Sequence, residues 1–141
     1  MKMVKQISVF LQNRPGTLAE LTKILLDNEI NMRALTVADT ADYGIVRIIV
    51  DNPDKTLKIL KTSEFLVSET DVIAVEAADK PGGLYEIATV LGEKNVNIEY
   101  VYTTMKQGKA IMILRVYDME TAMEALRDEG FKLVSEEELY E

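Results

Sequence analysis

Apolar and polar residues alternate near the amino terminus. Ile7, Val9 and Leu11 are separated by more polar neighbours, which predicts a half-buried strand. The period then lengthens: Leu18, Leu21 and Leu25 recur at helical spacing after the turn-forming pair Pro15-Gly16. Thr17 with Glu20 three positions on has the form of a capping box and predicts the helix start. A second strand is expected from Asn31 to about Asp39, and a third carries Val46, Ile48 and Val50. A second helix follows on Pro53, Thr56, Leu57 and Leu60, with the proline where a helix tolerates it. A short last strand contains Phe65 and Val67.

The same series then runs again. Displacing the sequence by 66 positions puts Ile7 on Ile73, Val9 on Val75, Pro15 on Pro81, Gly16 on Gly82, Asn31 on Asn97 and Phe65 on Phe131. The second copy supplies a strand at Ile73, Val75 and Ala77, and a helix on Leu84, Ile87, Ala88 and Leu91 with Gly83 at its cap position. Further strands reach about Met105 and carry Met112, Leu114 and Val116. A helix on Met119, Ala122, Met123 and Leu126 precedes a final strand at Phe131 and Leu133.

The predicted order is βαββαβ twice. The fold class is therefore α+β: two ferredoxin-like units side by side, each an antiparallel sheet with its helices on one face. The boundary falls near Glu69 to Asp71, giving units 1–69 and 70–141. A unit of that size buries only a marginal core by itself, and two together relieve the shortage.

Composition narrows the chemistry. Sixteen basic and twenty-four acidic side chains leave a net charge of −8. That argues against nucleic acid and against anionic membrane surfaces as partners, because both need clustered Lys and Arg. With no Cys, disulfides and thiolate metal sites are excluded, and with no His the commonest general base is missing. No metal or cofactor is expected. The segment Met1-Lys2-Met3-Val4-Lys5 lacks the apolar stretch of a signal peptide, and no apolar run spans a bilayer, so a cytoplasmic location is expected.

The candidate binding residues lie at the two strand-to-helix loops. The first reads Asn13-Arg14-Pro15-Gly16-Thr17-Leu18 and the second Asp79-Lys80-Pro81-Gly82-Gly83-Leu84. Each leads into a helix N-terminus, whose unpaired N–H groups and positive dipole end favour a carboxylate. Pro-Gly also makes a tight turn by itself. Asn31 and Asn97 fit either a helix-terminating turn residue or a side-chain amide offered to a ligand. The acidic run Glu136-Glu137-Glu138 reads as a solvated end, and Tyr100 and Tyr102 read as strand packing.

This combination, with Ile30-Asn31-Met32 in the first copy and Val96-Asn97-Ile98 in the second, resembles the ACT domain, the amino-acid-sensing module of metabolic enzymes. The first copy is similar to the regulatory domain of phosphoglycerate dehydrogenase, and the second to the ACT repeats of aspartokinase. The resemblance covers essentially the whole chain and leaves no catalytic domain. It implies paired domains forming an eight-stranded sheet, with amino acids bound at the seam between the first loop of one domain and the second strand of its neighbour. It also implies a homo-oligomer, and a metabolic enzyme as a regulated partner. By resemblance Asn13 and Asn31 are the ligand-contacting amides, with Arg14, Pro15, Gly16, Thr17 and Leu18 in the loop. Asp79, Pro81, Gly82, Gly83, Leu84 and Asn97 are their counterparts. Asp79 replaces an amide by a carboxylate, and Leu11 and Ala77 stand where the dehydrogenase-type domain has a histidine, so serine is not implied as the ligand. Two other classes remain open at this level. One is a ligand-free structural adaptor. The other is an acylphosphatase-like enzyme using Arg14 and Asn31, which Lys80 in the second copy disfavours.

Overall fold

A computed structural model of the chain describes residues 3–39 and 43–141. Met1 and Lys2, the start of the amino-terminal segment read above, lie outside them. The described residues form seven strands and five helices and cluster into two compact units. One comprises Lys5–Thr70 with Tyr140, and the other Asp71–Leu139 with Met3, Val4 and Glu141.

In the first unit β1 (Met3–Gln12) pairs antiparallel with β3 (Tyr43–Val50), and β3 pairs antiparallel with β2 (Met32–Asp39). Helices α1 (Thr17–Asp27) and α2 (Pro53–Thr62) supply Leu21, Leu25 and Leu60 to a core with Ile7, Val9, Leu11, Val46, Ile48 and Val50. Helix α2 is started by Pro53 and capped by Asn52, whose side chain accepts from the Lys55 N–H at 3.2 Å.

The second unit repeats the plan. Strand β4 (Leu66–Ala77) pairs antiparallel with β6 (Lys109–Val116), and β6 with β5 (Ile98–Lys106). The two-residue β7 (Leu133–Val134) pairs with β4 at Ala74 and Val75. Helices α3 (Gly83–Glu93) and α4 (Met119–Asp128) bring Ile87, Leu91, Ala122, Met123 and Leu126 onto Ile73, Val75, Leu114 and Val116. Asp118 caps α4, accepting from Thr121 N at 3.1 Å and from its hydroxyl at 2.7 Å. Those bonds favour the carboxylate and lower the Asp118 pKa.

Several expectations need correction. The last strand of the first copy and the first strand of the second are one uninterrupted strand, β4, so the chain has seven strands and not eight. No Gly, Pro or Asn interrupts Leu66–Ala77, and nothing local breaks the extended backbone. Strand β1 is not half-buried: Gln6 and Ser8, on the face away from α1 and α2, are as withdrawn from solvent as Ile7 and Val9. They pair with each other, Gln6 Nε2 donating to Ser8 Oγ at 3.3 Å, which reduces the cost of burying them.

Helix α1 does not start on a Thr17 cap. Gly16 is the N-cap residue, with φ 90°, and makes no side-chain bond, so Thr17 is the first helical residue. The buried stripe is therefore Thr17, Leu21 and Leu25, and Leu18 is exposed. In α3 the cap is Gly82 and not Gly83, the stripe is Gly83, Ile87 and Leu91, and Leu84 and Ala88 are exposed. The acidic tail is not a solvated end either. It forms α5 (Glu136–Tyr140), opened by a capping box between Ser135 and Glu138, and Leu139 is buried.

Candidate functional site

The two Pro-Gly loops have the same backbone. Thr17 N donates to Arg14 O at 3.5 Å across Pro15-Gly16, and Gly83 N donates to Lys80 O at 3.2 Å across Pro81-Gly82. Gly16 has φ 90°, ψ −14° and Gly82 has φ 96°, ψ −5°. Proline followed by a glycine at positive φ is the signature of a type II turn. The turn alone accounts for Pro15, Gly16, Pro81 and Gly82.

What remains at the loops is polar and exposed. Asn13 Nδ2 donates to Asp39 Oδ2 at 3.4 Å, tying the loop to the end of β2. Arg14 donates through Nε to Gln12 Oε1 at 3.0 Å, and its Nη2 lies 3.7 Å from Glu20 Oε1. Thr17 turns its hydroxyl back into the loop, to Gln12 O at 2.9 Å and Arg14 O at 3.1 Å. Leu18 and Leu84, at matching positions, are each 40% exposed. Helices α2, α4 and α5 are capped by the side chains of Asn52, Asp118 and Ser135, whereas α1 and α3 open with no side-chain cap.

Asn31 lies at the other end of its unit. Its N–H donates to Asp51 Oδ1 at 3.3 Å and its carbonyl accepts from Asp51 N at 3.2 Å. Gln12 is opposite Tyr43 and Met32 opposite Val50, so Asn13 and Asn31 adjoin opposite ends of the eight-residue β3. Seven steps at about 3.3 Å each put those ends about 23 Å apart. One unit thus keeps Asn13 and Arg14 well away from Asn31, so the pairing that an acylphosphatase-like site requires is not formed within it. Asp79 and Asn97 are separated in the same way, since Ala77 is opposite Ala110 and Ile98 opposite Val116. Neither Asn31 nor Asn97 has the positive φ of a turn residue; that role falls to Glu29 (φ 56°) and Asn95 (φ 60°).

Two cavities mark the ends of the second unit. One of about 420 Å³ is lined by Ala78 and Asp79 together with Gly108, Lys109, Phe131 and Lys132. The other, of about 450 Å³, is lined by Asn97 with Val96, Glu99, Tyr117 and Asp118. Both include a residue singled out from sequence. The neighbours Asp39, Lys109 and Lys132 were not foreseen, because nothing local in the sequence ties them to the loops. Among the described residues no group of three or more Asp or Glu is placed to hold a metal ion, and no helix is long and apolar enough to cross a membrane.

The duplicated turn, uncapped helix and βαββαβ order have a counterpart among known families. The model of the ACT domain pair matches residues 2–141. The chain belongs to that family. None of the curated proteins matches it. Among solved structures, protein BT0572 from Bacteroides thetaiotaomicron is 36% identical, with a TM-score of 0.93, and the match covers 99% of this chain and 97% of that one. The ligand-free regulatory subunit of aspartate kinase from Thermus thermophilus is 15% identical, with a TM-score of 0.66 and coverage of 92% and 94%. The corresponding subunit from Thermus flavus is 14% identical, with a TM-score of 0.64 and coverage of 91% and 93%. At that identity the two kinase subunits share the fold with this ACT domain pair.

Proposed function

We propose that this ACT domain pair is a non-enzymatic sensor that binds an amino acid and passes the occupancy on to a regulated metabolic enzyme. One observation carries the reading. In both copies the helix after the Pro-Gly turn begins without a side-chain acceptor, while α2, α4 and α5 have one. First-turn N–H groups without an internal acceptor suit a ligand carboxylate. Asn13 in the first copy and Asp79 in the second stand beside those helix starts as acceptors for an ammonium. Leu18 and Leu84 offer exposed apolar surface to a side chain. The two loops differ in charge, so the reading assigns them different affinities.

Because one unit keeps Asn13 and Asn31 at opposite ends, a ligand held by both takes the second amide from another copy of the chain. The reading therefore includes a homo-oligomer. Ligand binding shifts its equilibrium only through a difference in affinity between the two states.

Thermal denaturation in the presence of each of the twenty amino acids tests the proposal. A ligand at 100 times its Kd stabilises by about 2.7 kcal/mol. Asn13→Ala and Asn31→Ala should each weaken binding by about 1–3 kcal/mol, the range for unpairing a polar group at a dry site. A flat response to all twenty, with the fold intact, would leave the Pro-Gly turns as turns only and the chain as a structural adaptor.

A further inference from the structure

Lys106 ends β5 and Lys109 opens β6, and the two face each other across Gln107-Gly108. Both turn residues have positive φ (50° and 75°), as a two-residue hairpin turn of the primed type requires. Like charges directly opposite in a hairpin repel, and here one of the two is relieved and the other is not. Lys109 Nζ lies 3.4 Å from Glu76 Oε1. Lys132 Nζ lies 3.8 Å from the same oxygen and 3.1 Å from Glu138 Oε2. Lys106 Nζ is shut off from solvent with no hydrogen-bond partner.

That ammonium lines a cavity of about 120 Å³, whose walls include Glu76, Lys109, Ile111, Lys132 and Glu138. Protein interiors very seldom leave a buried cation without an acceptor, because desolvation is then uncompensated. We propose that this cavity is an anion site distinct from the Pro-Gly loops, and that it takes a small monocarboxylate held by Lys106.

Charge sets the valence. Three lysines against Glu76 and Glu138 leave one positive charge, which a single carboxylate balances. Glu141, also in the lining, opposes a second negative charge on the ligand. Size sets the class. At about 30 Å³ per water-sized group the space holds roughly four heavy atoms, the bulk of acetate. The neighbouring 420 Å³ cavity shares Glu76, Lys109 and Lys132 with it and has room for the body of a longer acid. None of these residues belongs to the loop of Asn13 or to Asn31, so the site stands or falls separately from the amino-acid reading.

The test is the melting temperature of the whole chain in sodium acetate, sodium phosphate and sodium chloride at equal ionic strength. Acetate should raise the Tm of the wild type to a plateau, and chloride should not. Lys106→Met removes an uncompensated buried charge, so its Tm should exceed the wild type's in acetate-free buffer and should no longer respond to acetate. Asn13→Ala should respond as the wild type does. A wild type insensitive to acetate, or an acetate response that survives in Lys106→Met, would overturn the proposal. A response to phosphate alone would overturn the assignment of a monocarboxylate.

Discussion

Thr17 and Gly83 occupy the same place in the two copies and satisfy it in opposite ways. The Thr17 hydroxyl donates to the Gln12 carbonyl at 2.9 Å, whereas a Cβ on Gly83 would collide with the matching carbonyl of Ala78. The second loop thus folds closer on its helix than the first. Gly83→Ala should cost about 1–3 kcal/mol, the usual penalty of overpacking against atoms that cannot move aside. Thr17→Val should cost about 1 kcal/mol through the lost hydrogen bond. Urea denaturation midpoints of the two variants check both figures.

At Gly16 and Gly82 the constraint is conformational only. Nothing lies within 4 Å of a Cβ built on either, yet both have φ near +90°. Replacement by Ala should therefore cost about 1–2 kcal/mol from backbone strain. Asn at the same positions should cost less, because it tolerates the left-handed region. An Ala variant as stable as the wild type would show that the loop can adopt another turn.

The carboxyl-terminal helix is a structural part of its unit. Leu139 is only 3% exposed. Leu139→Ala should destabilise by about 2–5 kcal/mol. Glu137→Ala, on the exposed side of the same helix, should change stability by less than about 0.5 kcal/mol. Calorimetric melting of the two variants separates a docked helix from a solvated tail.

Glu138 links that helix to pH. Lys132, donating at 3.1 Å, and then the backbone N–H of Ser135 hold its carboxyl pKa down to about 2, from the ordinary 4.5. The same contact raises the pKa of Lys132. A carboxylate with a depressed folded pKa adds stability that is complete above the unfolded value and is lost as protons bind on the way down to the folded one. The contribution should therefore disappear between about pH 4.5 and pH 2. Glu138→Gln should flatten the fall in stability across that window, as read by urea titrations at stepped pH.

Most of the fold was legible because each element announced itself twice. Periodicities that are weak in one copy, such as Pro53, Thr56, Leu57 and Leu60, are supported by Met119, Ala122, Met123 and Leu126 at the same offset. The misreadings were local. Thr17 with Glu20 satisfies the rule for a capping box, but the type II turn carries the chain one residue further, so Thr17 enters the helix and Leu18 rotates outward. Ser135 with Glu138 satisfies the same rule and does form the box, although the acidic run masks it. Gln6 and Ser8 read as a solvent face because their types are polar, and their burial depends on contacts that local pattern does not encode. The candidate loops were found through motif. Lys106 and Lys132 come together only through strand pairing and α5, so no spacing in the sequence could bring them to notice.

A tandem duplication ordinarily leaves a seam that later change can exploit. Strand β4 passes from one unit to the next at Thr70–Asp71 without leaving the extended conformation. An inserted residue there would throw every side chain beyond it onto the opposite face, so length cannot vary at the join as it does in a loop. The copies have diverged freely in identity, Thr17 against Gly83 and Asn13 against Asp79, while their 66-residue offset has held across the whole chain. The shared strand acts as a ratchet on the history of the molecule: substitutions pass, but the spacing does not.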